Sequence, residues 1–184
     1  MKVLINAERI QHRIVELAAE ITQDYKKSPL TIVGVLNGSL MFLADLVRHI
    51  QHPLQIGFIQ VSSYRGTATE AGELHFGAEI LPDLKGRHVL VLDDILDTGQ
   101  TLTHLVKHFQ ARGVASLKLG VLLRKLGRQT VACEPDYVGF EIPDHFVVGY
   151  GLDFNDEFRH LPFIADLPAD FSEPSLFDWS ERGR

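Results

Sequence analysis

The run Val89-Leu90-Val91-Leu92-Asp93-Asp94-Ile95-Leu96-Asp97-Thr98-Gly99-Gln100-Thr101-Leu102 constrains the fold more than any other stretch of the chain. Its four opening apolar residues suit a strand buried on both faces of a parallel sheet. Two adjacent carboxylates follow where that strand is expected to end. A turn of small polar residues comes next, and Leu102, Leu105, Val106 and Phe109 then recur at helical spacing. The run therefore predicts a strand, an acidic strand end, a tight turn and a helix N-terminus. Open α/β sheets gather ligands at the carboxyl ends of their strands. A helix N-terminus adds unpaired N–H groups and partial positive charge, which favour a phosphate. Asp93 and Asp94 suit a hydrated Mg2+ or sugar hydroxyls, and Asp97 is a third acid within the turn. An acidic loop that merely caps a helix fits the same residue types.

The rest of the chain supplies further strand and helix units. Asn6 is a good N-cap, and Ile10, Ile14, Leu17 and Ile21 predict an amphipathic helix over residues 7–26. Leu30–Leu36 reads as a buried strand. Asn37-Gly38-Ser39 is its turn, and Leu40, Leu43, Leu46, Val47 and Ile50 form the buried side of the next helix. Asn37-Gly38 is either an ordinary turn dipeptide or a nest of N–H groups for an anion such as pyrophosphate. Leu54–Val61 is a third strand. The polar, glycine-punctuated segment 62–73 is an exposed loop or a lid that excludes water. Leu74–Leu81 is a short strand, Gly113 a helix C-cap and Val114–Leu123 a further strand. The basic cluster Arg124-Lys125-Leu126-Gly127-Arg128 after it is solvated surface unless it faces a site. Strands alternating with helices predict an α/β fold with a mainly parallel, twisted sheet flanked by helices. The irregular segments, chiefly 62–86 and 130–165, remain to cover the active-site edge.

Bulk properties narrow the partners. The 184 residues suit one domain, and 45% hydrophobic with 23% charged residues is ordinary for a globular protein. A net charge of -6 argues against a general nucleic-acid or membrane-surface binder, which needs basic patches. It leaves room for one small phosphorylated substrate. The single Cys133 excludes an internal disulfide framework and a cysteine-rich zinc site. Met1-Lys2-Val3-Leu4-Ile5-Asn6 lacks a signal-peptide core, and no apolar run approaches the roughly 20 residues that span a bilayer. A cytoplasmic location is the expectation. Neither a dinucleotide-binding Gly-x-Gly-x-x-Gly after a strand nor a P-loop is present. His104 and His108 have the spacing of a helical zinc pair, but no Glu follows His104 and apolar residues surround them.

The central run closely resembles the phosphoribosyl-pyrophosphate (PRPP) motif of the type I phosphoribosyltransferases. A second stretch, Phe140-Glu141-Ile142-Pro143-Asp144-His145-Phe146-Val147-Val148-Gly149-Tyr150-Gly151-Leu152-Asp153, resembles the purine-binding region of the hypoxanthine-guanine branch of that family. The resemblance covers about residues 5–167. It implies a type I phosphoribosyltransferase fold in one domain, residues 1–167. A small hood from the N-terminal and 130–167 segments would cover the site, and 168–184 would be an irregular tail. The implied reaction joins a 6-oxopurine to PRPP with Mg2+, giving a nucleoside 5'-monophosphate and pyrophosphate.

Each role carried over from the resemblance falls on a residue of suitable chemistry. Asp93 and Asp94 would hold ribose hydroxyls directly or through the metal. Asp97, Thr98, Gly99, Gln100 and Thr101 would cradle the 5'-phosphate, and Asp97 would accept the proton from purine N7. Lys125 would donate to the 6-oxo group, Phe146 would stack on the purine and Val147 would bond its edge through the backbone. Asp153 lies in the purine-binding stretch and would bind Mg2+ alongside Asp93 and Asp94. Asn37, Gly38 and Arg159 would contact pyrophosphate, and Ser63 and Tyr64 would belong to the lid. Asn37 departs from the basic residue of many relatives, and Arg128 has no obvious counterpart and receives no role. PRPP and the base are the implied partners, without nucleic acid or membrane, in a homodimer or homotetramer. The alternatives are phosphoribosyltransferases for xanthine, adenine or orotate, and an RNA-binding regulator on the same fold. Adenine and orotate enzymes should lack the combination of Lys125, Phe146, Val147 and Asp153; a regulator should lose Asp97 and gain a basic face.

Overall fold

The computed structural model describes residues 1–63 and 74–168. Its elements run β1 (Lys2–Ile5), α1 (Ala7–Tyr25), β2 (Leu30–Leu36), α2 (Leu40–Val47), β3 (Leu54–Ser63) and β4 (Leu74–Ile80). They continue with β5 (His88–Leu96), α3 (Gln100–Gln110), β6 (Ser116–Lys125), β7 (Tyr137–Ile142), β8 (Val147–Val148) and β9 (Ile164–Asp166). Tyr64 of the expected lid and the tail from residue 169 lie outside the described residues; Ser63 closes β3.

Six strands form the main sheet in the order β4-β3-β2-β5-β6-β7. All of its neighbouring pairs are parallel except β3 with β4. The apolar opening of β5 is explained by alternation. Leu90 and Leu92 enter the core beneath α1 and α2, whereas Val89 and Val91 enter the core beneath α3. Both faces are covered, so neither set of side chains can be polar. Burying each such side chain contributes about 1.5–3 kcal/mol.

The helices follow their apolar patterns with two corrections. Asn6 caps α1 by accepting the Arg9 N–H at 2.9 Å, and Ile10, Ile14, Leu17 and Ile21 are buried. In α2, Leu40 is 41% exposed, and Phe42 joins Leu43 and Leu46 on the buried side. The short helix begins at Leu40, and its first residue lies at the rim. Gly113, expected to cap α3, instead sits beyond Ala111 with φ at 68°, where it turns the chain toward β6.

A second, three-stranded sheet has the order β1-β9-β8. Lys2 and Val147 both stand opposite Asp166. The N-terminal strand is thereby tied through β9 to β8, and Val148, Phe158, Leu161 and Phe163 share a small apolar cluster with Ala165 and Leu167.

Candidate active site

The strand order reverses direction between β2 and β5. From β2 the chain crosses through α2 to β3 on one side; from β5 it crosses through α3 to β6 on the other. The two turns diverge and leave a crevice at the carboxyl edge, the expected location for a ligand in such sheets. A cavity of about 340 Å³ occupies it. Its walls come from Asn37 and Gly38 after β2, from Asp93 to Gly99 along β5 and its turn, and from Thr101, Asp153 and Arg159. Gln100, exposed at the start of α3, is not among the lining residues.

The paired acids lie within the strand rather than at its end. β5 pairs with β2 only as far as Leu92 but continues beside β6 to Leu96. Asp93 and Asp94 are thus held by the ladder on one side and face the crevice on the other. Asp94 donates its N–H to Asp93 Oδ1 at 3.0 Å, and Ile95 donates to Asp94 Oδ1 at 2.9 Å. Burial pushes the Asp93 carboxyl well above the usual range, and the like charge of Asp94 adds to the shift. Burial also raises Asp94, opposed by its hydrogen bonds and by the Arg159 charge. Among the described residues no three His, Cys, Asp or Glu side chains converge as a metal cage. The buried, mutually repelling pair still offers oxygen donors to a hard divalent cation that keeps waters and takes ligand oxygens, the coordination habit of Mg2+.

Glycine allows the two loops beside these acids to close. A β-carbon on Gly38 would collide with the Asp94 carboxylate, and one on Gly151 would collide with the Gly38 carbonyl. The main chains of residues 38 and 151 therefore stack over Asp94. Arg159 secures the outer loop: Nη1 donates to the Gly151 carbonyl at 2.8 Å, and Nη2 pairs with Asp153 at 2.8 Å and Asp156 at 2.9 Å. Asp153 accepts the Asp156 N–H through its other oxygen at 2.9 Å.

The turn after β5 brings the N-terminus of α3 to the crevice. Gly99 takes φ 85° as N-cap of α3, with Val131 and Cys133 packed against the position a side chain would need. The first-turn N–H groups of α3 have no intrahelical acceptor. Asp97 joins this turn to a second group of residues. Its Oδ2 stands 3.8 Å from Lys125 Nζ, and its Oδ1 accepts from Arg128 Nε at 3.0 Å. Asp144 Oδ1 faces both cations, at 3.4 Å from Lys125 and 3.5 Å from Arg128.

Lys125, expected in a basic loop, is the last residue of β6 and is buried because β7 continues the sheet to Ile142 opposite it. Phe146, two residues after Asp144, is 54% exposed and meets Phe154 edge-on at 5.9 Å. Phe146 O accepts the Leu167 N–H at 2.8 Å, so antiparallel alternation makes Val147 opposite Asp166 the non-hydrogen-bonded pair. Both main-chain polar groups of Val147 accordingly point away from β9, off the sheet edge.

The family model described as the phosphoribosyl transferase domain matches residues 4–155. The chain belongs to the phosphoribosyltransferase family. It is 43% identical over 166 residues to a hypoxanthine-guanine phosphoribosyltransferase of Streptococcus pneumoniae, covering 90% of this chain and 92% of that protein. The Bacillus subtilis protein of the same name is 42% identical, with the same coverage. Among solved structures, a hypoxanthine phosphoribosyltransferase from Staphylococcus aureus superposes with a TM-score of 0.86 at 42% identity, covering 91% of each chain.

In this phosphoribosyltransferase the residues singled out from sequence fall into two neighbouring groups. Asn37, Gly38, Asp93, Asp94, Asp97, Thr98, Gly99, Thr101, Asp153 and Arg159 line the crevice. Lys125 is reached through Asp97, and Phe146 and Val147 follow Asp144 beyond it. Sequence reasoning missed Asp144, Arg128 and the role of Gly151. Pro143-Asp144 between short strands has the signature of a plain turn, and Arg128 follows a glycine in a basic cluster. Neither signal distinguishes a site from a surface.

Proposed function

We propose that this phosphoribosyltransferase transfers the 5-phosphoribosyl group of PRPP to N9 of a 6-oxopurine, hypoxanthine or guanine. The products are IMP or GMP and pyrophosphate, a purine salvage reaction. One observation carries the reading: Asp97 lines the phosphate cavity and also stands 3.8 Å from Lys125, so a single acid joins a phosphate cradle to a cation suited to a 6-oxo group. The names borne by the relatives agree with it.

Chemistry at C1' forms a bond to N9 and breaks the bond to pyrophosphate, while the N7 proton passes to Asp97. Positive charge develops on the ribose and negative charge on the leaving group, so positioning and electrostatics dominate. The N–H groups and hydroxyls of Asp97 to Thr101 hold the 5'-phosphate, and Asp93 and Asp94 hold the ribose hydroxyls. The main chain of Asn37 and Gly38 and the fork of Arg159 receive pyrophosphate; Arg159 must exchange its present carboxylate partners for phosphate oxygens. Lys125 donates to the 6-oxo group, Phe146 stacks on the base and the outward backbone of Val147 reads its edge. Mg2+, held by Asp93 and Asp94 and through Asp153, would neutralise charge on the pyrophosphate.

Residues 1–167 form the working domain, in which the small sheet and its flanking loops serve as the hood. Ser63 and Tyr64 belong to the closing lid. Among the described residues no helix is long and apolar enough to cross a membrane. The enzyme works in the cytoplasm as a homodimer or homotetramer.

The test is nucleotide formation from PRPP and Mg2+ with hypoxanthine, guanine, xanthine and adenine in parallel. Product with hypoxanthine or guanine and little with adenine is expected. Product mainly from xanthine would keep the mechanism but change the substrate. No product with any base would overturn the reading in favour of a binding or regulatory role.

A further inference from the structure

We propose that Arg128 is a movable gate on Asp97, occupying the proton-accepting oxygen until a purine displaces it toward Asp144. This rests on the functional reading above, in which Asp97 accepts the N7 proton. Both oxygens of Asp97 face cations in the structure, Oδ1 at 3.0 Å from Arg128 Nε and Oδ2 at 3.8 Å from Lys125 Nζ. The Arg128 N–H donates to Asp97 as a purine N7–H would, so the two donors approach one acceptor. A carboxylate oxygen has a second lone pair, so what the base needs is space beside Oδ1, and moving one cation provides it.

Arg128 is the one able to move. The Lys125 side chain is only 10% exposed and projects from a strand paired on both sides. The Arg128 side chain is 48% exposed and follows Gly127, whose φ is 77° with open space around it. The backbone beyond it stays in place, because Thr130 donates its N–H to the Thr98 carbonyl at 3.0 Å. Only the side chain needs to swing. Asp144 Oδ1, already 3.5 Å from Arg128 Nε, is the acceptor waiting on the other side. Displacement thus exchanges one carboxylate partner for another without leaving the guanidinium unpaired. Arg128 and Asp144 are positioning residues: neither needs to touch the reacting atoms.

The gate predicts opposite signs at the two positions. Arg128→Ala removes the competitor, and the KM for the purine should fall about two- to fivefold, the scale of an exposed charge pair. Asp144→Asn removes the receiving carboxylate, and the same KM should rise by a comparable factor of about two to five. Asp144 also touches Lys125, so the double variant decides the route. In the Arg128→Ala background the Asp144→Asn effect should disappear. Arg128→Gln should repeat the sign of Arg128→Ala, and Arg128→Lys should restore the wild-type value. An active enzyme whose purine KM is unchanged or raised by Arg128→Ala overturns the gate, as does an Asp144→Asn effect of full size in the double variant. A wild type that makes no nucleotide from any purine overturns the functional reading and the gate together.

Discussion

Gly38 lies so close to the carboxylate of Asp94 that a β-carbon at residue 38 would overlap it. The turn after β2 and the acids of β5 are consequently one packed unit. Gly38→Ala must displace either the loop or the carboxylate, and the Gly151 backbone behind the loop blocks retreat. Overpacking of this kind costs about 1–3 kcal/mol. A shift of about 1 Å at a reacting centre can cost about 10²-fold in rate. We expect turnover to fall by about that factor with a modest loss of thermal stability, measured by steady-state kinetics beside a melting curve. Near-normal turnover would mean that the turn does not set the position of Asp94.

Asp93 should be worth more to activity than to stability. Its folded carboxyl titrates above the ordinary value because burial and Asp94 disfavour its charge. The folded state therefore binds more protons than the unfolded one between those two values, and stability falls as pH rises across that window. Above the window the loss is complete. Asp93→Asn, which can still accept the Asp94 N–H, should melt higher than the wild type at neutral pH while losing most of its activity. The gain should shrink as the pH is lowered through the window toward the ordinary carboxylate value. Equal melting temperatures at neutral pH would show that the charge is relieved in the protein without ligand.

Asp97→Asn keeps the shape of the turn but cannot accept a proton. Turnover should drop by about 10² or more, the usual contribution of a positioned base. Single-turnover kinetics under saturating PRPP would assign the loss to the chemical step. Near-normal turnover would remove Asp97 from that role.

Lys125→Met preserves most of the buried stem of Lys125 and removes its charge. With the ammonium gone, kcat/KM for hypoxanthine should fall by about tenfold or more, the loss of a charge-assisted hydrogen bond. The preference for hypoxanthine over adenine should narrow, because the donor proposed for the 6-oxo group is absent. An unchanged ratio of the two kcat/KM values would place the discrimination elsewhere.

Where local pattern and long-range packing agree, the sequence was legible. Leu30–Leu36 forms β2 with the expected bounds because its apolar run is buried on both faces. The alternation of strands and helices likewise predicts the mainly parallel sheet. The strand ends were harder to read. The sequence predicts that Asp93 and Asp94 follow the end of β5, but pairing with β6 carries the strand to Leu96, and β7 similarly retains Lys125. No local propensity encodes a neighbour's length. The same limit hid the contact of Asp144 with Lys125 and Arg128, because these residues meet only after β6 and β7 align. For Gly38 the sequence leaves a turn dipeptide and an N–H nest both open, because the groups crowding it come from residues 94 and 151.

The pairing of β1 with β9, and of β9 with β8, has a consequence for synthesis. Among the described residues all strands of the main sheet precede residue 143, so the β2 and β5 walls of the crevice can form while later residues are still being added. The outward-facing backbone of Val147 gains its pairing partner only when Ile164–Asp166 arrives, the strand that also pairs with Lys2–Ile5. A nascent chain therefore has the β2 and β5 walls of the crevice before Asp153, Arg159 and the backbone of Val147 are in place. Until Ile164–Asp166 docks, such a chain carries the turns after β2 and β5 and Lys125 of β6, but not the fixed Val147 edge beside them.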